Sequence, residues 1–215
     1  MQLLKLQKAF DKLQLIYGEP TLNSIYGAGC IKNPVAMFIF MNPTGKNISS
    51  SADWQGLRAP WLGTKNIWRL FYKLNLLPKS YFEKTQRLKT GDWTTQFATK
   101  IYGELTKKKV YVTNLAKCTQ LDARPLQNFV FINYLDLMLK EISTIQPRHI
   151  ITFGNQVSSI LLGKHIFVSE YRRAQKETLR VGAKIFNVYP VYYPVGQGMR
   201  NMPLSIKRII TISKI

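Results

Sequence analysis

Apolar and polar positions alternate along the chain in blocks with two different periods. Leu3, Leu6, Phe10, Leu13 and Tyr17 recur at helical spacing and predict an opening helix with one apolar face. Val35 to Phe40 is apolar without interruption and lies between Pro34 and Pro43. Such a short run predicts a strand covered on both faces, as in a parallel sheet. Ile67, Trp68, Leu70, Phe71 and Leu74 give a helix that Pro78 ends, and Trp93 to Leu105 gives another. Val110 to Leu115 follows as a strand and Leu126 to Ile145 as a long helix. His149 to Phe153 is a third strand, broken by Gly154 into the helix S-S-I-L-L-G. Lys184 to Val191 is a fourth strand, and Leu204 to Ile212 a closing helix. Strands separated by helices predict a three-layer α/β/α sandwich around a central four-stranded, mainly parallel sheet with right-handed crossovers. No repeat, low-complexity tract or linker divides the chain, so residues 1–215 are expected to form one domain.

That architecture directs attention to the carboxyl ends of the strands, where ligands bind in open α/β sheets. The first strand runs into M-N-P-T-G, which places Asn42 at its carboxyl end. Pro43 removes a backbone donor and Gly45 permits positive φ, so the chain turns here. An ordinary Asn-Pro turn would read the same way. P-W-L-G at Pro60 to Gly63 follows the same strand. T-N-L-A-K-C at Thr113 to Cys118 ends the second, and Y-Y-P-V-G-Q-G-M-R-N at Tyr192 to Asn201 ends the fourth.

Charge adds a partner. With 31 Lys and Arg against 11 Asp and Glu, the net charge is +20, which predicts a polyanion, nucleic acid or an anionic membrane surface. No segment approaches the roughly 18 consecutive apolar residues of a membrane span. The N-terminal segment lacks a signal peptide's apolar core, so a cytoplasmic location is expected. Cys30 and Cys118 are the two cysteines, and His149 and His165 the two histidines. They cannot hold a four-thiolate cluster or a zinc-like site, and no metal or other cofactor is expected.

Taken together, these stretches resemble the uracil-DNA glycosylase superfamily, from about Gly27 to Asn201. M-N-P-T-G is similar to the first motif of its mismatch-specific and single-strand-selective branches. P-W-L-G followed by N-I-W-R-L-F-Y-K-L resembles the segment carrying the aromatic that stacks on a flipped base. V-T-N-L-A-K-C resembles the strand whose Asn reads the uracil edge, and I-T-F-G-N-Q-V-S-S-I-L-L-G the structural unit before the last motif. Y-Y-P-V-G-Q-G-M-R-N stands where the family has a His-Pro-Ser loop. Three positions depart from the pattern: Tyr193 stands for His, Val195 for Ser, and Phe40 for the Gly that begins the first motif. The iron-sulfur branch shares P-W-L-G but needs four cysteines, so a cluster-free variant is implied.

The resemblance implies a monomeric glycosylase that hydrolyses the N-glycosidic bond of uracil or a related deaminated base in DNA. Asn42 would position the attacking water, by orientation rather than proton abstraction, since a neutral amide is a feeble base. Tyr193 would donate a hydrogen bond to the charge developing on uracil O2. Met41, Trp61 and Asn114 would hold the base, Trp61 by stacking and Asn114 by offering donor and acceptor from one amide. Gly196, Gln197, Gly198, Met199 and Arg200 would contact DNA, the glycines by close backbone approach, Gln197 or Met199 as a wedge, Arg200 at a phosphate. Asp53 is a reserve candidate for activating water, and Lys107 to Lys109, Arg172, Arg173 and Lys176 are further candidates for DNA contact. Core packing of Trp61 beside Trp68, a strand-end cap at Asn114 and a solvated Asp53 remain open. So do a catalytically silent nucleic-acid-binding protein on this fold and an enzyme acting on a free nucleotide.

Overall fold

A computed structural model of the protein describes residues 2–213, apart from the side chains of Gln197 and Ser213. Helix α1 (Gln2–Tyr17) buries Leu6 and Phe10 and half-buries Leu3, Leu13 and Tyr17, so the face read from the leucine spacing is the one that packs. It lies against α5 (Asn128–Ile145). The four expected strands are β2 (Ala36–Phe40), β3 (Val110–Asn114), β4 (His149–Phe153) and β6 (Lys184–Val191). All four run parallel, and β2 and β3 are buried along their whole length, as expected of central strands covered on both faces.

The sheet has six strands rather than four, in the order β1-β3-β2-β4-β6-β5. The additions are antiparallel edges. β1 (Ala28–Gly29) is only two residues long and pairs with β3. β5 (Glu177–Val181) pairs with β6 through a hairpin whose loop contains Gly182 at φ 59°. Its sequence, E-T-L-R-V, is exposed at alternate positions, so it lacks the apolar run that marks a central strand. Helix α3 (Lys79–Arg87) also escapes the apolar pattern, because Thr85 is its one buried residue. The remaining helices are α2 (Asn66–Lys73), α4 (Thr95–Lys107), α6 (Asn155–Leu162) and α7 (Met202–Ser213).

Successive residues of a strand point to opposite faces. Phe38 and Phe40 therefore join the core that contains Trp68, Phe71, Ile101 and Ile209 from α2, α4 and α7. Met37 and Ile39 join the other core, with Phe10, Phe131, Ile142 and Leu161 from α1, α5 and α6. Helices thus cover both faces. The registers Phe40 with Asn114 and Phe153 with Val191 bring the carboxyl ends of the parallel strands to one edge. The chain leaves β2 for β3 on one side and then crosses to β4 on the other, so the switch point opens beside Asn42.

Candidate functional site

A cleft of about 710 Å³ occupies that switch point. Asn42, Trp61, Asn114, Tyr193 and Gly196, contributed by four separate loops or strand ends, all line it.

Asn42 leaves β2 on the same face as Phe40. Its Nδ2 donates to the Pro43 carbonyl at 3.1 Å, and its amide oxygen has no hydrogen-bond partner among the described residues. Asn114 ends β3 and is 2% exposed, yet its side-chain amide has no partner among the described residues. The amide faces the open cleft, where its donor and acceptor are free to meet whatever enters. Asn47, another lining residue, shows the contrast. Its Nδ2 donates to Ala59 O at 2.8 Å and its Oδ1 accepts from Ser49 N and Oγ at 3.0 and 2.9 Å, which makes it a strut of the wall.

Trp61 is half-buried and adopts φ 70°, an outlying conformation for a bulky residue. The loop is clamped from beneath. Trp68 Nε1 donates to the Trp61 carbonyl at 3.2 Å, Thr64 Oγ1 to the same oxygen at 2.7 Å, and the Tyr102 hydroxyl to Pro60 O at 2.6 Å. The indole meets Phe40 edge to face at 5.0 Å, and Phe40 stacks on Phe153 at 4.2 Å. Trp61 is thus tied to Trp68 through its backbone carbonyl, and its half-buried indole packs against the core while lining the cleft. Phe40, fully buried and outside the cleft lining, backs the Trp61 and Tyr193 rings from the core.

Tyr193 also meets Phe40 edge to face, at 6.3 Å. Burial raises its phenol well above the ordinary tyrosine range, so the hydroxyl stays protonated and remains a donor. The following loop is a 3-10 turn, Gly196–Asn201. Gly196 takes φ 59°, and a Cβ on Gly198 would collide with the Tyr193 carbonyl oxygen. Met199, 40% exposed, and Arg200 face solvent beside the cleft rather than within it. The Gln197 side chain lies outside the described residues.

Several expected contributors fall elsewhere. Met41 continues the strand alternation onto the opposite face and packs with the α1, α5 and α6 core, away from the cleft. Asp53 is an exposed loop residue that does not line it. Lys107, Lys108 and Lys109 precede β3 and so sit at the amino ends of the strands, opposite the cleft. Arg172, Arg173 and Lys176 precede β5, whose first residue pairs with Val188 in the middle of β6, and none of them lines the cleft. Among the described residues no carboxylate or histidine lines the cleft, and no three His, Cys, Asp or Glu come together as a metal site.

Sequence reading missed two groups. Thr44, Lys46, Thr64, Lys65 and Thr90 add hydroxyls and ammonium groups to the rim. Beneath Asn114, Lys117 and Glu141 form an ion pair at 2.7 Å with side chains 0% and 1% exposed. Desolvation pulls the Lys117 pKa below its ordinary value, against the attraction of Glu141. A lysine inside the apolar stretch V-Y-V-T-N-L-A-K-C was the signal available in the chain.

No curated protein sequence matches the chain. The family model described as the uracil DNA glycosylase superfamily matches residues 32–208, from the approach to β2 into α7, and so takes in every strand end that builds the cleft. The α/β sheet, its order and the cleft at its switch point agree with that match, and the chain belongs to the uracil DNA glycosylase superfamily.

Proposed function

We propose that this protein removes uracil, or a closely related deaminated base, from DNA by hydrolysing the N-glycosidic bond, as a cytoplasmic monomer that starts base excision repair. The superfamily consists in general of hydrolytic DNA glycosylases, which supports DNA as the partner. The observation that carries the finer reading is the Asn114 amide, which lines the cleft without a partner among the described residues and is accompanied there by Trp61 and Asn42. A base taken out of the stack loses a few kcal/mol, which an aromatic face and an edge-reading amide offset. Asn114 offers a donor to uracil O4 and an acceptor to N3-H.

Water held by the Asn42 amide oxygen attacks C1′ as the C1′–N1 bond breaks. The bond pair leaves with the base, the negative charge spreads over O2 and O4, and the water's proton passes to solvent. The Tyr193 hydroxyl donates to O2 as that charge grows. With no carboxylate on the cleft wall, orientation and charge stabilisation supply the acceleration, and turnover is slow. That same feature supports a second reading, a protein that binds nucleic acid on this fold without cleaving it. Incubation with an oligonucleotide containing one uracil, followed by alkali, decides between them. Strand scission at the uracil is the expected result; binding without scission favours the second reading.

A further inference from the structure

Among the described residues, the pair beneath Asn114 is the one ion pair with both side chains buried. The Lys117 ammonium reaches three oxygens: Thr113 Oγ1 at 2.7 Å, Glu141 Oε2 at 2.7 Å, and the backbone carbonyl of Asn114 itself. Its remaining surroundings are Met138 Sδ at 3.8 Å and the Phe10 ring at 5.0 Å. Glu141 in turn accepts from the Tyr111 hydroxyl at 2.7 Å and from Thr113 Oγ1 at 3.0 Å through its other oxygen. Tyr111 and Thr113 are alternate positions of β3, so their side chains meet the network on the face turned away from the cleft, while Asn114 is held through its backbone carbonyl. The next residues, Leu115 and Ala116, donate their amides to Phe40 and Met41 at 2.7 and 3.1 Å, which ties the end of β3 to the turn that carries Asn42.

A buried ion pair is poor evidence of a stabilising purpose, because apolar groups of the same volume often fold as well or better. What this pair does that apolar groups cannot is hold a carbonyl. Fixing the Asn114 carbonyl fixes its peptide plane and hence the direction of its Cα–Cβ bond, from which the amide projects. An amide that reads a base must keep donor and acceptor in register within a fraction of an ångström, and supporting hydrogen bonds are the usual means. We infer that Lys117, held by Glu141 from α5, is a positioning residue that sets the orientation in which Asn114 presents its amide to the base. This rests on the glycosylase reading of the cleft.

The test compares the parent chain with the double variant Lys117→Met/Glu141→Gln, which removes both charges together and avoids stranding either. Excision of uracil from a defined oligonucleotide, inhibition by free uracil, and melting temperature are measured on each. Misplacing one oriented group should slow kcat about tenfold or more and weaken inhibition by free uracil by a similar factor, with affinity for an abasic oligonucleotide unchanged. A purely structural pair would shift the melting temperature and leave kcat and uracil inhibition at parent values, which would overturn the inference. Should the double variant fail to fold, Thr113→Val removes one of the ammonium's oxygens with little change of shape. It should raise the inhibition constant for uracil measurably in a folded chain, and an unchanged constant would overturn the inference. A parent chain that neither cleaves at uracil nor binds it overturns the glycosylase reading and this inference with it. A parent that does both, beside variants that match it, overturns this inference alone.

Discussion

Two walls flank the cleft, and they are held by opposite means. At the end of β3, Asn114 sits on a closed set of buried charges and hydroxyls, and Leu115 and Ala116 are bonded to the turn carrying Asn42. At the end of β6, the loop from Tyr193 to Asn201 is shaped mainly by its own backbone. Gly196 takes a positive φ, Gly198 fits under the Tyr193 carbonyl, Gly198 N bonds Val195 O at 3.1 Å, and Ser205 Oγ bonds Tyr192 O at 2.8 Å. Met199 and Arg200 are left to solvent. A wall that must discriminate one base edge from another needs rigid polar support, because an error in amide placement wastes the hydrogen bonds it offers. On the proposed reading the second wall meets a phosphate backbone, which calls for close approach and charge, and a glycine-containing loop with an exposed arginine offers both.

The largest effect expected from breaking this contrast is on the first wall. Lys117→Met alone leaves Glu141 buried without its counter-ion, and should destabilise the fold by about 3–5 kcal/mol in urea or thermal unfolding. A loss near zero would mean that the pair holds nothing.

Asn42→Ala should come next, slowing uracil excision by roughly two orders of magnitude, the range for one oriented catalytic group, with abasic-product binding barely changed. Equal losses in both would make Asn42 a strut of the turn. Asn114→Asp should lower activity on uracil by about 1–3 kcal/mol of transition-state binding and raise the cytosine-to-uracil rate ratio, since the new acceptor suits cytosine N4. An unchanged ratio in a folded variant would move the reading of the base elsewhere.

The second wall should respond differently. Gly198→Ala forces the loop to shift away from the Tyr193 carbonyl, yet the cost is confined to a surface segment, so unfolding free energy should change by no more than about 1 kcal/mol. Affinity for DNA should fall while inhibition by free uracil stays at the parent value; a fall in both would show that the two walls are one unit. The smallest effect belongs to Arg200→Ala. It should reduce the slope of log affinity against log salt by about 0.9 for duplex DNA, the value for one lost phosphate contact. An identical slope would place the phosphate contacts on other basic residues, such as Lys46 and Lys65 on the cleft wall.

What could be read from the chain alone was whatever depends on local apolar pattern. Val35 to Phe40, Val110 to Leu115, His149 to Phe153 and Lys184 to Val191 declared themselves as strands because central parallel strands are largely buried on both faces and so read as short, mostly apolar and β-branched or aromatic runs. From their ends followed Asn42, Trp61, Asn114 and Tyr193, which the structure gathers into one cleft. β1, β5 and α3 were not legible, since a two-residue edge, a half-exposed edge and a helix burying a single residue have little apolar pattern to show. Met41 was misplaced because adjacency in sequence says nothing of face, whereas the alternation of β2 sends it to the opposite core. Lys117 and Glu141 lie far apart in the chain. Only packing α5 against the sheet excludes water from both, and that exclusion turns two ordinary charges into the support of Asn114.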